Sequence, residues 1–246
     1  EKKFIILADD ISHLDRIQNS RSEFIANVSH ELRTPLTVIH GFIETLQEMK
    51  SDDDLLRNAI TLMSEQTIRM NRLIEDLLNL TQVESQRLRN QEAVDVPSML
   101  RSLVKDSQSF PEYQHELLIM ECSPTWITGN AEELRSAFEN LISNAIRYTP
   151  SGGTIKIRWD TNHQGVVFSI EDTGVGINQI DIPRLTERFY RVDKSRSRVT
   201  GGTGLGLAIV KHIANRHQAE IIIKSKEGIG SIFSLIFPKE RCTRPE

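Results

Sequence analysis

Apolar residues recur at alternating spacings of three and four along the first fifty positions. The seam runs Ile11, Leu14, Gln18, Arg21, Ile25, Val28, Leu32, Pro35, Ile39, Phe42, Leu46 and Met49. That period predicts one long helix packed in a bundle. Residues 50–54 interrupt it with a short acidic stretch. A second stripe follows at Leu56, Ile60, Met63, Thr67, Met70, Ile74, Leu77 and Thr81, widened by Leu73 and Leu80. Two long helices with a short connection pack antiparallel. One hairpin cannot cover stripes this wide, whereas two can. The pattern therefore predicts an all-α helical hairpin that forms a dimeric four-helix bundle, and hence a homodimer.

Beyond about residue 89 the period changes to mixed α and β. Helices are expected over 97–110, 131–148 and 207–216. Strands are expected over 116–121, 154–160, 165–171, 220–224 and 231–237, with turns at 161–164 and 227–230. These elements make an α/β two-layer sandwich. A further strand is expected over 3–8. The resulting division is 1–9 as the end of an upstream domain, 10–22 as a helical linker, 23–89 as the hairpin, 90–240 as the α/β domain and 241–246 as a tail.

Composition narrows the partners. The chain has 246 residues, 38% hydrophobic and 26% charged, with a net charge of −4. Its pI is about 6.0, so it lacks the basic footprint of a duplex-DNA binder, and no direct nucleic-acid contact is expected. Cys122 and Cys242 are too far apart in sequence to suggest a metal cluster or a disulfide framework. The longest apolar run, residues 4–8, is far short of the roughly 20 needed to cross a bilayer. The chain opens with Glu in strand-like sequence, as an excised fragment would. Membrane attachment is then expected only through segments missing from it.

Candidate chemistry begins at His30. It lies between the seam residues Val28 and Leu32, so it faces outward. A lone outward histidine is ordinarily just solvated surface, but its neighbours change that reading. Glu31 can take the Nδ1 proton and leave Nε2 a nucleophile. Thr34 shares the helical face of His30 and could position a water. Pro35 takes an N–H from the helix at a cost, which a functional reason would justify. The run His30-Glu31-Leu32-Arg33-Thr34-Pro35-Leu36 resembles the H box of dimeric sensor histidine kinases. The resemblance implies that His30 is phosphorylated, that Glu31 is its acid–base partner and that Thr34 serves a phosphatase reaction.

Four further segments carry nucleotide chemistry. Asn140 and Asn144, four apart in Glu139-Asn-Leu-Ile-Ser-Asn-Ala-Ile-Arg-Tyr148, project from one helical face with amide oxygens suited to Mg²⁺. Arg147 and Tyr148 extend that face toward phosphate or ribose. Asp172 ends a strand before Gly174 and Gly176, where a carboxylate can accept the adenine amino group while the backbone approaches the ring. Arg188, Arg191, Lys194, Arg196 and Arg198 make a basic loop suited to a mobile lid over phosphates, with Phe189 as its packing anchor. Gly201-Gly-Thr-Gly-Leu-Gly206 opens a helix with N–H groups directed at an anion.

In this order the segments resemble the N, G1, F and G2 boxes of the GHKL ATPase-type fold. The resemblance implies that ATP and Mg²⁺ are held by Asn140, Asn144, Arg147, Tyr148, Asp172, Gly174, Gly176, Ile177, Arg191, Gly202, Thr203, Gly204, Leu205 and Gly206. Asn140 and Asn144 would be the metal ligands. Arg147 stands where the family often has Lys, and its donor geometry differs.

Residues 182–198 and 201–212 are similar to the phosphate-regulon sensors within that family. This implies a PAS-like upstream domain, a receiver-domain response regulator of the PhoB type as partner, and a place as the cytoplasmic portion of an inner-membrane protein. Polar Gln18 and Arg21 in the seam suggest a soft layer through which an upstream signal reaches His30. Two rivals remain at this stage. One is a GHKL-type ATPase that modifies no histidine, and the other a dimeric scaffold that sequesters a regulator.

Overall fold

Helix α1 spans Ser12–Glu48 and helix α2 spans Asp53–Ser85, as the heptad spacing requires. The structure is a computed structural model and describes residues 12–48, 53–85, 91–107, 116–192 and 202–243. The strand expected over 3–8 lies outside the described residues, as do the side chains of Gln18 and Arg21. The chain divides into two compact units, residues 1–73 and 74–246, so the division falls within α2.

In the first unit, α1 continues through Pro35, whose ring is buried. Hydroxyls beside the proline bond back to the helix. Thr34 Oγ1 donates to the His30 carbonyl at 3.2 Å and Thr37 Oγ1 to that of Arg33 at 2.9 Å. Ala59 and Leu73 are buried, but Ile25 is 58% exposed, Leu36 57% and Ile60 53%. A single hairpin leaves much of the apolar stripe in water.

The second unit is built on a five-stranded sheet. Its strands are β2 (Glu116–Cys122), β4 (Thr154–Thr161), β5 (Gly165–Asp172), β6 (Glu220–Lys226) and β7 (Gly230–Pro238), in the order β2-β4-β5-β7-β6. β2 and β4 run parallel and the other neighbours antiparallel. Helices α3 (Val96–Ser107), α4 (Ala131–Tyr148) and α5 (Gly206–Arg216) each bury one apolar face. Alternate residues of β4 and β5 are buried, and the α4 side chain Phe138 joins them. Its ring lies 4.7 Å from that of Phe168 and within 6.5 Å of those of Trp159 and Phe237.

Three strands have no counterpart in the sequence reading. β1 (Glu92–Val94), β3 (Trp126–Gly129) and β8 (Cys242–Thr243) form an antiparallel sheet in the order β1-β3-β8. Each is too short to show a two-residue period. Cys242 and Thr243, read from sequence as part of a tail, pair with Ile127 and Trp126. Arg241 beside them is buried and donates to the Thr128 carbonyl at 2.9 Å.

Helix α4 starts at a conventional cap, where Asn130 Oδ1 accepts the Glu133 N–H at 3.0 Å. The cap is braced by the fully buried His217. Its Nε2 accepts the Asn130 N–H at 3.1 Å, which leaves Nδ1–H to donate to the Ile213 carbonyl at 2.9 Å. Burial lowers the pKa of His217, against the pull of the Ile213 bond and Glu133, with Arg241 and Arg216 adding to the lowering. A folded pKa below the unfolded value of about 6.5 gives stability that is complete above that pH and lost as pH falls through the folded value. The thermal midpoint of the second unit should therefore drop between pH 7 and 5. In His217→Gln that slope should be shallower, as read by circular dichroism.

Candidate active site

His30 is exposed on α1, between half-buried Val28 and Leu32, where the heptad frame places it. Thr34 is exposed one turn on. The carboxylate of Glu31 is turned to the other helix of the hairpin, where Oε2 accepts from Arg69 Nη2 at 3.0 Å. Arg69 has no sequence motif to announce it, because its partner is 38 positions away.

In the second unit, α4 and the glycine-rich turn before α5 meet. Asn140 Nδ2 donates to the Ser136 carbonyl at 2.9 Å, which leaves Oδ1 as the end facing Gly206 at the start of α5. A Cβ on Gly206 would run into that Oδ1. A Cβ on Gly202 would lie 3.4 Å from Arg147 Nη1 and 3.6 Å from Tyr148 Oη. Asn144 is half-buried one turn along α4, on the same face as Asn140. The structure thus gathers Asn140, Arg147, Tyr148, Gly202 and Gly206 around one turn.

The Asp172 loop is stitched to the end of the same helix. Val175 N–H donates to the Tyr148 carbonyl at 3.1 Å, and a Cβ on Gly174 would strike that carbonyl. Asp172 is buried, with Oδ1 accepting the Gly174 N–H at 2.8 Å. Burial raises its pKa, opposed by the N–H groups of Gly174 and Ser231 and assisted by Glu171. Gly176 has φ +67° and lies against the Lys226 carbonyl, with no space for a side chain. Ile177, assigned to nucleotide binding from its motif, has its N–H committed to Ser225 Oγ at 2.8 Å.

Phe189 anchors its loop through the backbone. It holds φ +62°, and its N–H donates to the Gly204 carbonyl at 2.9 Å. Gly204, at φ +76°, would place a Cβ 2.9 Å from the Phe189 backbone. Arg191 is half-buried, while Lys194, Arg196, Arg198 and Gly201 lie outside the described residues.

Thr203, assigned to nucleotide binding from its motif, has its hydroxyl engaged within the protein. Its Oγ1 donates to Asp76 Oδ2 at 2.6 Å and accepts the Leu205 N–H at 3.3 Å. Nearby, Glu84 pairs with Arg188 and with His212, the latter at 3.0 Å. Arg216 clasps both oxygens of Glu133 and donates to the Val83 carbonyl at 2.8 Å. Neither Asp76 nor Glu84 stands out in sequence from other helix-surface acids. Thr203→Val should cost the second unit about 1.5–3 kcal/mol, the range for a hydrogen bond to a charged group, measured as a fall in denaturant midpoint at constant slope.

Among the described residues no group of three or more His, Cys, Asp or Glu could hold a metal ion. A hard cation brought with a triphosphate would have the amide oxygens of Asn140 and Asn144 as donors. The fixed orientation of Asn140 fits that role.

Residues 20–86 match the His Kinase A (phospho-acceptor) domain family. Residues 129–241 match the histidine kinase-, DNA gyrase B- and HSP90-like ATPases. The phosphate regulon sensor protein PhoR of Pseudomonas aeruginosa is 42% identical over 248 residues, covering all of this chain and 56% of the relative. This chain belongs to the sensor histidine kinases. PhoR of Haemophilus influenzae is 43% identical, covering 96% of the kinase chain and 55% of its own length. The kinase chain thus spans a little over half of these relatives. Among solved structures, the Acinetobacter baumannii histidine kinase AdeS superposes with TM-score 0.66 at 27% identity, covering 86% of the kinase and 98% of AdeS. ThkA, solved in complex with response regulator protein TrrA, gives TM-score 0.72 at 20% identity, covering 96% and 68%, a likeness of fold.

Proposed function

We propose that the kinase binds Mg-ATP in its second unit, transfers the γ-phosphoryl group to His30 Nε2 and passes it to an aspartate of a response regulator of the PhoB type. Asp172 reads the adenine amino group and the glycine turn from Gly202 to Gly206 receives phosphate through its N–H groups. Arg147 and Arg191 meet phosphate charge. Asn140 and Asn144 hold Mg²⁺, which when bound offsets charge on the transferring group. The Nε2–P bond forms as the bond from the γ-phosphorus to the bridging oxygen breaks, ADP leaves, and Glu31 accepts the Nδ1 proton. Thr34 orients water for the phosphatase reaction, in which water attacks the phosphorus on the regulator's aspartate, the bond to the carboxylate oxygen breaks and inorganic phosphate leaves.

The observation that carries this reading is an exposed His30 in a chain that also has the asparagine face, the buried Asp172 and the glycine turn assembled. Exposure of Ile25, Leu36 and Ile60 supports a homodimer in which a second hairpin covers the stripe. No helix among the described residues is long and apolar enough to cross a membrane. The likeness to PhoR supports reading the chain as the cytoplasmic portion of an inner-membrane protein. The 42% identity to PhoR supports a role in phosphate sensing.

The test is labelling from γ-labelled ATP, followed by a chase with purified regulator. Wild type should take acid-labile, base-stable label and lose it to the regulator. His30→Gln should take none. ATP hydrolysis without chain labelling would mean an ATPase that modifies no histidine.

A further inference from the structure

One face of the five-stranded sheet is apolar until its last row. Register aligns Ile157, Ile170, Phe233 and Ile223 across β4, β5, β7 and β6. Two residues away on each strand, and so on the same face, the row becomes Ile155, Asp172, Ser231 and Ser225. Asp172 and Ser231 are buried and Ser225 is half-buried. Polar groups withdrawn from water need partners, and those of Ser225 lead to Asp172.

Ser225 Oγ carries one proton and donates it to the Gly230 carbonyl at 2.9 Å. Its 2.9 Å contact with Ser231 Oγ is therefore donated by Ser231. It also accepts the Ile177 N–H at 2.8 Å. One donated and two accepted bonds fill the capacity of a hydroxyl. The Gly230 carbonyl and the Ser231 N–H belong to a single planar peptide unit. That N–H, with the Gly174 N–H, holds the Asp172 carboxylate. Fixing the carbonyl side of a rigid plane fixes the direction of its N–H side. The Ile177 bond fastens the far end of the loop that carries Gly174 and Gly176.

We propose that Ser225 is a positioning residue for adenine recognition, acting on Asp172 through the Gly230–Ser231 peptide and on the glycine loop through Ile177. Its full set of internal bonds leaves it nothing to offer the nucleotide directly. The inference rests on Asp172 as the reader of the adenine amino group.

The test titrates Mg-ADP into the full chain as wild type, Ser225→Ala, Ser225→Thr and Ser107→Ala, with autophosphorylation at varied ATP alongside. Ser107 is the control, a buried hydroxyl on α3 that donates to the Leu103 carbonyl at 2.7 Å. Ser225→Ala should weaken ADP about ten-fold, the upper range for one neutral hydrogen bond. The KM for ATP should rise by the same factor with the maximal rate within roughly two-fold, because binding and not transfer is affected. Ser225→Thr keeps the hydroxyl and should stay within roughly three-fold of wild type. Ser107→Ala should lower the thermal midpoint and leave ADP affinity unchanged. The proposal is overturned by wild-type ADP affinity in Ser225→Ala, by an equal loss in Ser107→Ala, or by Ser225→Thr binding as weakly as Ser225→Ala. Wild type that binds no ADP removes the nucleotide site and this inference with it. Wild type that binds ADP but takes no label removes only the transfer to His30, and the titration still decides the role of Ser225.

Discussion

Asp172→Ala is expected to weaken ATP binding by the second unit about hundred-fold while leaving His30 intact. Asp172 is buried at the end of β5 and its Oδ1 already organises the next turn by accepting the Gly174 N–H at 2.8 Å. A carboxylate in that position costs solvation, as its raised pKa records, with burial the largest cause. A group kept at such cost is suited to recognition of a donor. A hydrogen bond to a charged group contributes roughly 1.5–3 kcal/mol, so losing it should lower affinity about ten- to hundred-fold. Alanine also leaves the Gly174 N–H without its acceptor and loosens the loop. Isothermal titration with an unhydrolysed ATP analogue reads both effects. Affinity within three-fold of wild type would remove Asp172 from the site.

Gly176→Ala is expected to have the second-largest effect, on folding as well as on binding. Gly176 holds φ +67°, which costs an L-residue roughly 1–2 kcal/mol, and a Cβ there runs into the Lys226 carbonyl. Overpacking against rigid backbone adds about 1–3 kcal/mol. The loop carrying Gly176 is fastened at three backbone points: Val175 N–H to the Tyr148 carbonyl, Gly228 N–H to the Val175 carbonyl and Ile177 N–H to Ser225. It cannot yield without disturbing α4 and the β6–β7 turn together. Chemical denaturation should show a large fall in midpoint. Gly152→Ala is the contrast: it also has positive φ, +82°, but nothing lies within 4 Å, so only the backbone strain should register.

The elements with long, regular patterns were readable from the residues alone. Helix α4 has a capping asparagine, acids in its first turn and an arginine in its last, and it occupies Ala131–Tyr148 as its period predicts. The hairpin of β4 and β5 follows from alternation in Ile155, Ile157 and Trp159 and from the Asn162 turn, whose Oδ1 accepts from Gln164 and Gly165. The grouping of candidate residues around the glycine turn was likewise expressed in motif spacing. What sequence did not express is contact between polar side chains distant along the chain. Arg69 with Glu31 and Thr203 with Asp76 are separated by 38 and 127 positions. Nothing in local periodicity distinguishes these residues from solvated helix surface. The short strands β1, β3 and β8 were missed for a related reason, since their pairing comes from register with each other rather than from a repeated pattern.

The proposed phosphoryl transfer requires above all that His30 Nε2 receive phosphorus from ATP. Phosphorus NMR of the full chain after incubation with Mg-ATP tests it most directly. One phosphoramidate resonance should grow as ADP appears, and it should be missing from His30→Gln under the same conditions. A chain that turns over ATP with no phosphoramidate signal, or one whose signal persists in His30→Gln, would contradict it.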